Sequence, residues 1–245
     1  MKVDEIPFVV QPWGRYLAKD WDPVTQKIYE ASRNGRDATT INVQRQSCIG
    51  NGIVGPNVVC LYGSTNSSIT WPTGSLPSQF TLCSLARYPT TGLKRRIFQG
   101  KRVNFVHGFY NAGNRRTHYY NDVFMYDQTG YVITDWCNDC GTNNIGPGSP
   151  NHAIINNIKK VSNVFTYLKY LPTDTLTINN SLNNSENSDF EFNQITIWDR
   201  QLSYSELAME SNKIQQYMAE GDVSTSEIGP NKQKKDKDKV KAKDV

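Results

Sequence analysis

No stretch of this 245-residue chain stays apolar over the roughly 20 residues that a bilayer-spanning helix needs. Helix signals are nearly missing before residue 200, which excludes crossover-linked parallel strands. Histidine is scarce, and its three copies show no metal-ligand spacing. Charge of one sign is also missing. The net charge is +4, and residues 221 to 245 carry seven lysines against five acids, which leaves only +2 for the rest. That is too little for a nucleic-acid footprint. The opening "MKVDEIPFVVQPWG" has a charge pair and a short apolar run broken by Pro7 and Pro12. It lacks the make-up of a secretory leader, so cytoplasmic synthesis is the expectation.

Cysteine is present in an odd number, five, with no framework spacing. Cys137 and Cys140 form a CxxC in "WCNDCG". A zinc site needs a second pair, and none stands at a suitable distance. A redox CxxC opens a helix, whereas Gly141, Asn143 and Asn144 follow here. Reduced structural thiols are therefore expected. Calcium needs six to eight oxygens. Asp122 with Asp127, and Asp135 with Asp139, are pairs and no more. No metal and no cofactor is expected.

What the sequence does contain is short β-rich runs between turn-formers. They are "VVCLYGS", "FTLCSLARY", "RIFQG", "VNFVHGFY", "VFMYD", "YVITDW", "NVFTYLKYL", "TLTIN" and "FEFNQITIW". About nine strands at this spacing predict an all-β, two-sheet antiparallel sandwich. One C-terminal helix follows in "LSYSELAMESNKIQQYMAEG". Ser203 and Glu206 form a capping box, Leu202 and Leu207 the staple, and Gly221 the stop. In "FEFNQITIW" the apolar parity shifts from Phe190 and Phe192 to Ile195 and Ile197. That predicts a bulge near Asn193 or burial of both faces. The division is an N-terminal arm over 1–15, a sandwich over 16–221 and a lysine-rich tail over 222–245.

"NFVHGFYNAGNRRTHYY", residues 104 to 120, gathers two histidines, two arginines and five aromatic rings. On a strand, His107 shares a face with Val103, Phe105 and Phe109. That face is either core, with the histidine hydrogen-bonded inside it, or a concave binding surface. His107, Phe109, Tyr110, Arg115, Arg116, His118, Tyr119 and Tyr120 are the candidate ligand-binding residues, with Arg95 and Arg96 able to join the patch. No catalytic residue is assigned. Glycoside hydrolysis needs two carboxylates across a sugar. Asp189 and Glu191 lie on one strand face about 6.8 Å apart, but alternation with Phe190 and Phe192 turns them outward. No GxSxG elbow is present. Sequons stand at Asn66, Asn179 and Asn183 and are expected to stay unmodified.

Three stretches resemble the concanavalin A-like, laminin-G-type jelly roll. "YLAKDWDPVTQKIYEASRNGRDAT" resembles its entry strand and turn, with Arg33 where the pattern has glycine. "LPSQFTLCSLARY", "RIFQG" and "NFVHGFY" resemble paired strands of a subgroup found in algal-type and large-DNA-virus proteins. "FNQITIWDRQLSYSEL" resembles the closing strand and helix. The resemblance implies two stacked antiparallel sheets, one concave, and functions from lectin to glucanase to capsid component. The E-x-D-x-x-E pattern of the enzymatic branch is missing. The expectation is a non-catalytic, lectin-like module that recognises glycan or a partner protein surface, with no nucleic acid and no membrane insertion. The second reading is a minor capsid protein of a large DNA virus, with capsid proteins as neighbours and the virion as its place. A glycoside hydrolase is the third.

Overall fold

A computed structural model describes residues 11–32, 34–111, 115–120, 123–126, 132–143, 152–161, 173–182 and 184–222. Arg33, Asp122, Asp127, Asn183, the run "NVFTYLKYL" and the tail beyond 222 lie outside the described residues. The strands are β1 (Gly14–Asp22), β2 (Lys27–Glu30), β3 (Ala38–Ile41), β4 (Gln44–Ser47), β5 (Val59–Gly63), β6 (Ser68–Thr70), β7 (Thr81–Arg87) and β8 (Phe98–Gly100). They continue as β9 (Val106–Phe109), β10 (Arg115–Tyr120), β11 (Val123–Tyr126), β12 (Cys137–Thr142), β13 (His152–Ile155), β14 (Ile158–Val161), β15 (Leu176–Ile178) and β16 (Phe190–Trp198). Helix α1 (Tyr204–Glu220) closes the fold.

The result is an all-β, antiparallel jelly-roll sandwich with one C-terminal helix. A front sheet runs β11-β10-β9-β8-β15-β6-β3, and β2 leads from it to a back sheet, β1-β16-β7-β12-β13-β14, with β4 and β5 beside β16. The register of β1 on β2 shifts between Tyr16 and Trp21, where the path turns from one layer to the other. Between the layers lies a core that includes Tyr16, Trp71, Phe98, Phe105, Phe190 and Phe192. Trp71 is its hub, edge-on to Tyr16 at 6.1 Å and to Phe192 at 5.7 Å.

β16 has both features that its parity shift predicts. Phe192 pairs with Ala86 and Gln194 with Leu85, so Asn193 is the extra residue of a bulge. The bulge returns Ile195 and Ile197 to the core face used by Phe190 and Phe192. Every residue of the strand is buried, with Phe190, Phe192, Ile195 and Ile197 in the inner core, Trp198 in the apolar layer under α1 and β5 paired along one edge. The outward carboxylates expected there are therefore not found. Glu191 is buried against Arg87 at 2.5 Å, and Asp189 accepts from the Thr65 and Leu93 backbone N–H groups.

α1 starts at the predicted cap, with Ser203 and Glu206 bonded reciprocally. Leu207, Ser211, Ile214 and Met218 form its buried face. They close a second apolar layer with Ile53, Leu85, Trp136 and Trp198.

Two expectations need correction. "YVITDW" is a turn over its described residues, not a strand, and the neighbouring "CNDCGT" is the strand instead. Along β12 the three-residue spacing of the CxxC puts its sulfurs on opposite faces. Cys137 enters the inner core and Cys140 the layer under α1. The thiols are not all reduced either: Cys83 bonds to Cys140 and Cys48 to Cys60. Spacing along the chain could not show this. Cys83 and Cys140 are 57 residues apart and become cross-strand neighbours only when β7 pairs with β12. Cys137 stays outside both disulfides.

Candidate functional site

The hairpin β9–β10 has a register shift between Arg115 and His118, and the side chains on either side of it divide the predicted site in two. His107, Phe109, His118 and Tyr120 point into the core, each with 0% of its surface exposed. Tyr110 and Tyr119 face the other way and are half-buried. Arg115 and Arg116 begin β10, and their side chains lie outside the described residues.

The inward set forms a closed polar network. His107 Nε2 lies 3.0 Å from Ser84 Oγ, its Nδ1 meets the Tyr120 hydroxyl, and His118 Nε2 lies 2.6 Å from Asp139 Oδ1. Burial pushes the His107 pKa down to about 4 and that of Tyr120 well up, so both are neutral near pH 7. A neutral His107 donating from Nε2 to Ser84 and accepting the Tyr120 proton satisfies all three groups. Gly141 makes the room: a Cβ there would sit 2.6 Å from His118 Cε1 and 2.7 Å from the Tyr120 oxygen. His107, His118 and Asp139 place possible ligand atoms within 4.8 Å of one another. The two imidazoles, however, stack at 5.0 Å and 16°, so their in-plane lone pairs do not converge on one ion. Nothing in this network meets solvent.

The outer face of the same sheet is different. Across the strands, Tyr119, Val106, Gln99, Thr177 and Thr70 stand in one cross-strand row. Over it opens a cleft of about 190 Å³, lined by Arg96, Gln99, Lys101, Arg102, Asn104 and Leu182 among others. Each wall has a local cause. Gly100 lets the chain fold back, since a Cβ there would lie 2.7 Å from the Val103 carbonyl oxygen. Asp174 fixes that return by accepting from the Arg102 and Val103 backbone N–H groups at 2.7 and 2.9 Å. Burial alone would raise its pKa, but these bonds outweigh it and hold the carboxyl below its usual range. The opposite lip follows from Asn179, at φ 57°, whose side-chain amide donates to the Ser64, Ser67 and Ser188 carbonyls. That side chain clamps a turn.

At the floor, Gln99 is 2% exposed. Its Oε1 accepts from Ser181 at 3.1 Å, and its Nε2 has no partner among the described residues. Leaving such a donor unfilled costs about 1–3 kcal/mol. Arg96 stands at the rim, 5.3 Å over the Tyr110 ring, and donates to Asn104 Oδ1 at 2.7 Å. The sequence signal for this site was the Arg96 and Tyr110 part of the predicted patch. Gln99 carried none, because a lone glutamine in "RIFQG" reads as an ordinary strand residue.

No family model matches the chain, and no curated protein matches it. Among solved structures it is similar to the binding domain of Paraclostridial mosquitocidal protein 1, at 17% identity over 78% of this chain and 50% of that one, with a TM-score of 0.51. It is similar to domain 4 of AbnA, a GH43 extracellular arabinanase from Geobacillus stearothermophilus, in complex with arabinotriose. There the identity is 13% over 82% of this chain and 98% of that one, with a TM-score of 0.54. The botulinum neurotoxin serotype D binding domain matches at 13% over 82% and 51%, with a TM-score of 0.58. The chain spans about half the length of the two toxin binding domains. These likenesses show the fold alone, a jelly-roll β-sandwich.

Proposed function

We propose that this chain is a non-catalytic binding module that holds a glycan or a partner protein surface in the outer-face cleft of its front sheet. The observation that carries the reading is the unfilled amide of Gln99 in a cleft walled by preset polar groups. A buried donor of this kind is retained where a ligand or an ordered water completes it. Two neighbours use the fold for contact, one as a toxin binding domain and one in complex with arabinotriose. Support for the non-catalytic part comes from Asp189 and Glu191, whose carboxylates are committed to backbone amides and to Arg87. The two disulfides favour maturation under oxidising conditions, against the cytoplasmic expectation.

The test is a glycan array and a partner capture run in parallel on the full chain and on an Asn104→Ala variant. Binding that drops in the variant supports the reading. Binding that survives unchanged, or hydrolysis of any glycan on the panel, contradicts it.

A further inference from the structure

The polar side chains that line the cleft offer mostly donors. Gln99 offers Nε2, with its oxygen already taken by Ser181. Asn104 offers its amide nitrogen, with its oxygen taken by Arg96. Lys101 has no ion-pair partner among the described residues, and Arg102 keeps 65% of its side chain exposed while its Nε holds Asp174 at 3.2 Å. Among the described residues no carboxylate lines the cleft. The two nearby acids are spent: Glu186 lies 3.5 Å from Arg96, and Asp174 is 1% exposed and filled by backbone amides.

Side chains that mostly donate select a ligand rich in acceptors, and Lys101, beside the largely exposed guanidinium of Arg102, selects one with negative charge. The neutral amides suit ring and hydroxyl oxygens. The exposed Leu182 offers apolar contact to the flat face of a sugar. An extended acidic peptide fits less well, because β8 at the floor is already paired with β9 on one side and β15 on the other and offers no free strand edge.

We infer that the outer-face cleft takes an acidic saccharide, its carboxylate or sulfate held by Lys101 and Arg102 and its ring oxygens by Gln99 and Asn104. This rests on the reading of the cleft as the contact site. Another cleft, between α1 and β16, mixes Arg15 and Lys213 with Glu210 and has no comparable selectivity.

The experiment is calorimetric titration of the full chain with a uronate tetrasaccharide, a sulfated tetrasaccharide, a neutral glucan tetrasaccharide and an acidic peptide of matched charge. Each is run at low and at moderate salt, on the wild type, on a Lys101→Gln/Arg102→Gln double variant, on Gln99→Met and on Asn104→Ala. Thermal melts of the variants confirm their fold. The expected result is binding of one or both acidic saccharides, at least tenfold weaker in the double variant, weaker in Gln99→Met and weaker at higher salt. The responding arm tells carboxylate from sulfate. Equal binding of the neutral saccharide, insensitive to the double variant but lost in Asn104→Ala, overturns the acidic class and leaves the contact site standing. Tighter binding of the peptide overturns the saccharide. Saccharide binding untouched by all three variants overturns both this inference and the cleft itself.

Discussion

The Arg87 guanidinium and the Glu191 carboxylate face each other across β7 and β16, 2.5 Å apart and only 10% and 6% exposed. The Trp136 ring lies 5.0 Å from the guanidinium carbon and shuts the pair off from water. Glu191→Gln leaves a buried cation without its counter-charge. The expected loss is about 3–5 kcal/mol of stability, read from urea denaturation. An Arg87→Met/Glu191→Leu double variant should regain most of it. A single-variant loss below about 1 kcal/mol would contradict the burial of the pair.

The disulfide between Cys83 and Cys140 spans 57 residues of chain, and that between Cys48 and Cys60 spans 12. Loop-closure entropy assigns them about 4 and about 3 kcal/mol. Mass spectrometry of the unreduced protein should show two bridges and one thiol, at Cys137. Added reductant should lower the melting temperature. Five alkylatable thiols in the native protein would remove both bridges.

Buried His107 releases its proton with a pKa of about 4, below the ordinary 6.5 it regains on unfolding. Above pH 6.5 neither state carries the proton, and the stability is complete. As the pH falls from 6.5 towards 4 the unfolded chain binds the proton first, and about 3 kcal/mol is lost. Stability measured at pH 7 and pH 4.5 should differ more for the wild type than for His107→Gln, which lacks the titrating group. Equal slopes would show that this imidazole does not titrate below its ordinary range.

Gly141 has no room for a side chain beside His118 and Tyr120. Gly141→Ala should push both rings and cost about 1–3 kcal/mol. A Tyr120→Phe background removes the oxygen 2.7 Å from the new methyl and should soften the cost. An unchanged melting temperature in Gly141→Ala would mean that the network is looser than described.

Parts of this fold were legible in advance because their signals are local. The capping box of Ser203 and Glu206, the buried face of α1 and the bulge at Asn193 each depend on residues within a turn or a strand of one another. The disulfides and β12 were not legible. "CNDCGT" has weak strand propensity and became a strand through pairing with β7 and β13. The composition of residues 104 to 120 pointed to the right hairpin but to both of its faces at once. The histidines went to the core, where Gly108 and Gly141 leave space for Asp139 and for His118. Gln99 was invisible because its role comes from what surrounds it: the Asn179 turn, the Gly100 fold-back and the Asp174 clamp.

The most direct test of the outer-face cleft is amide chemical-shift mapping on the labelled full chain during titration with the tightest probe from the binding panel. The account predicts the largest shifts at Arg96 to Asn104 and at Ser181 and Leu182. Shifts concentrated on α1 from Glu210 to Tyr217, with the cleft silent at saturation, would contradict it.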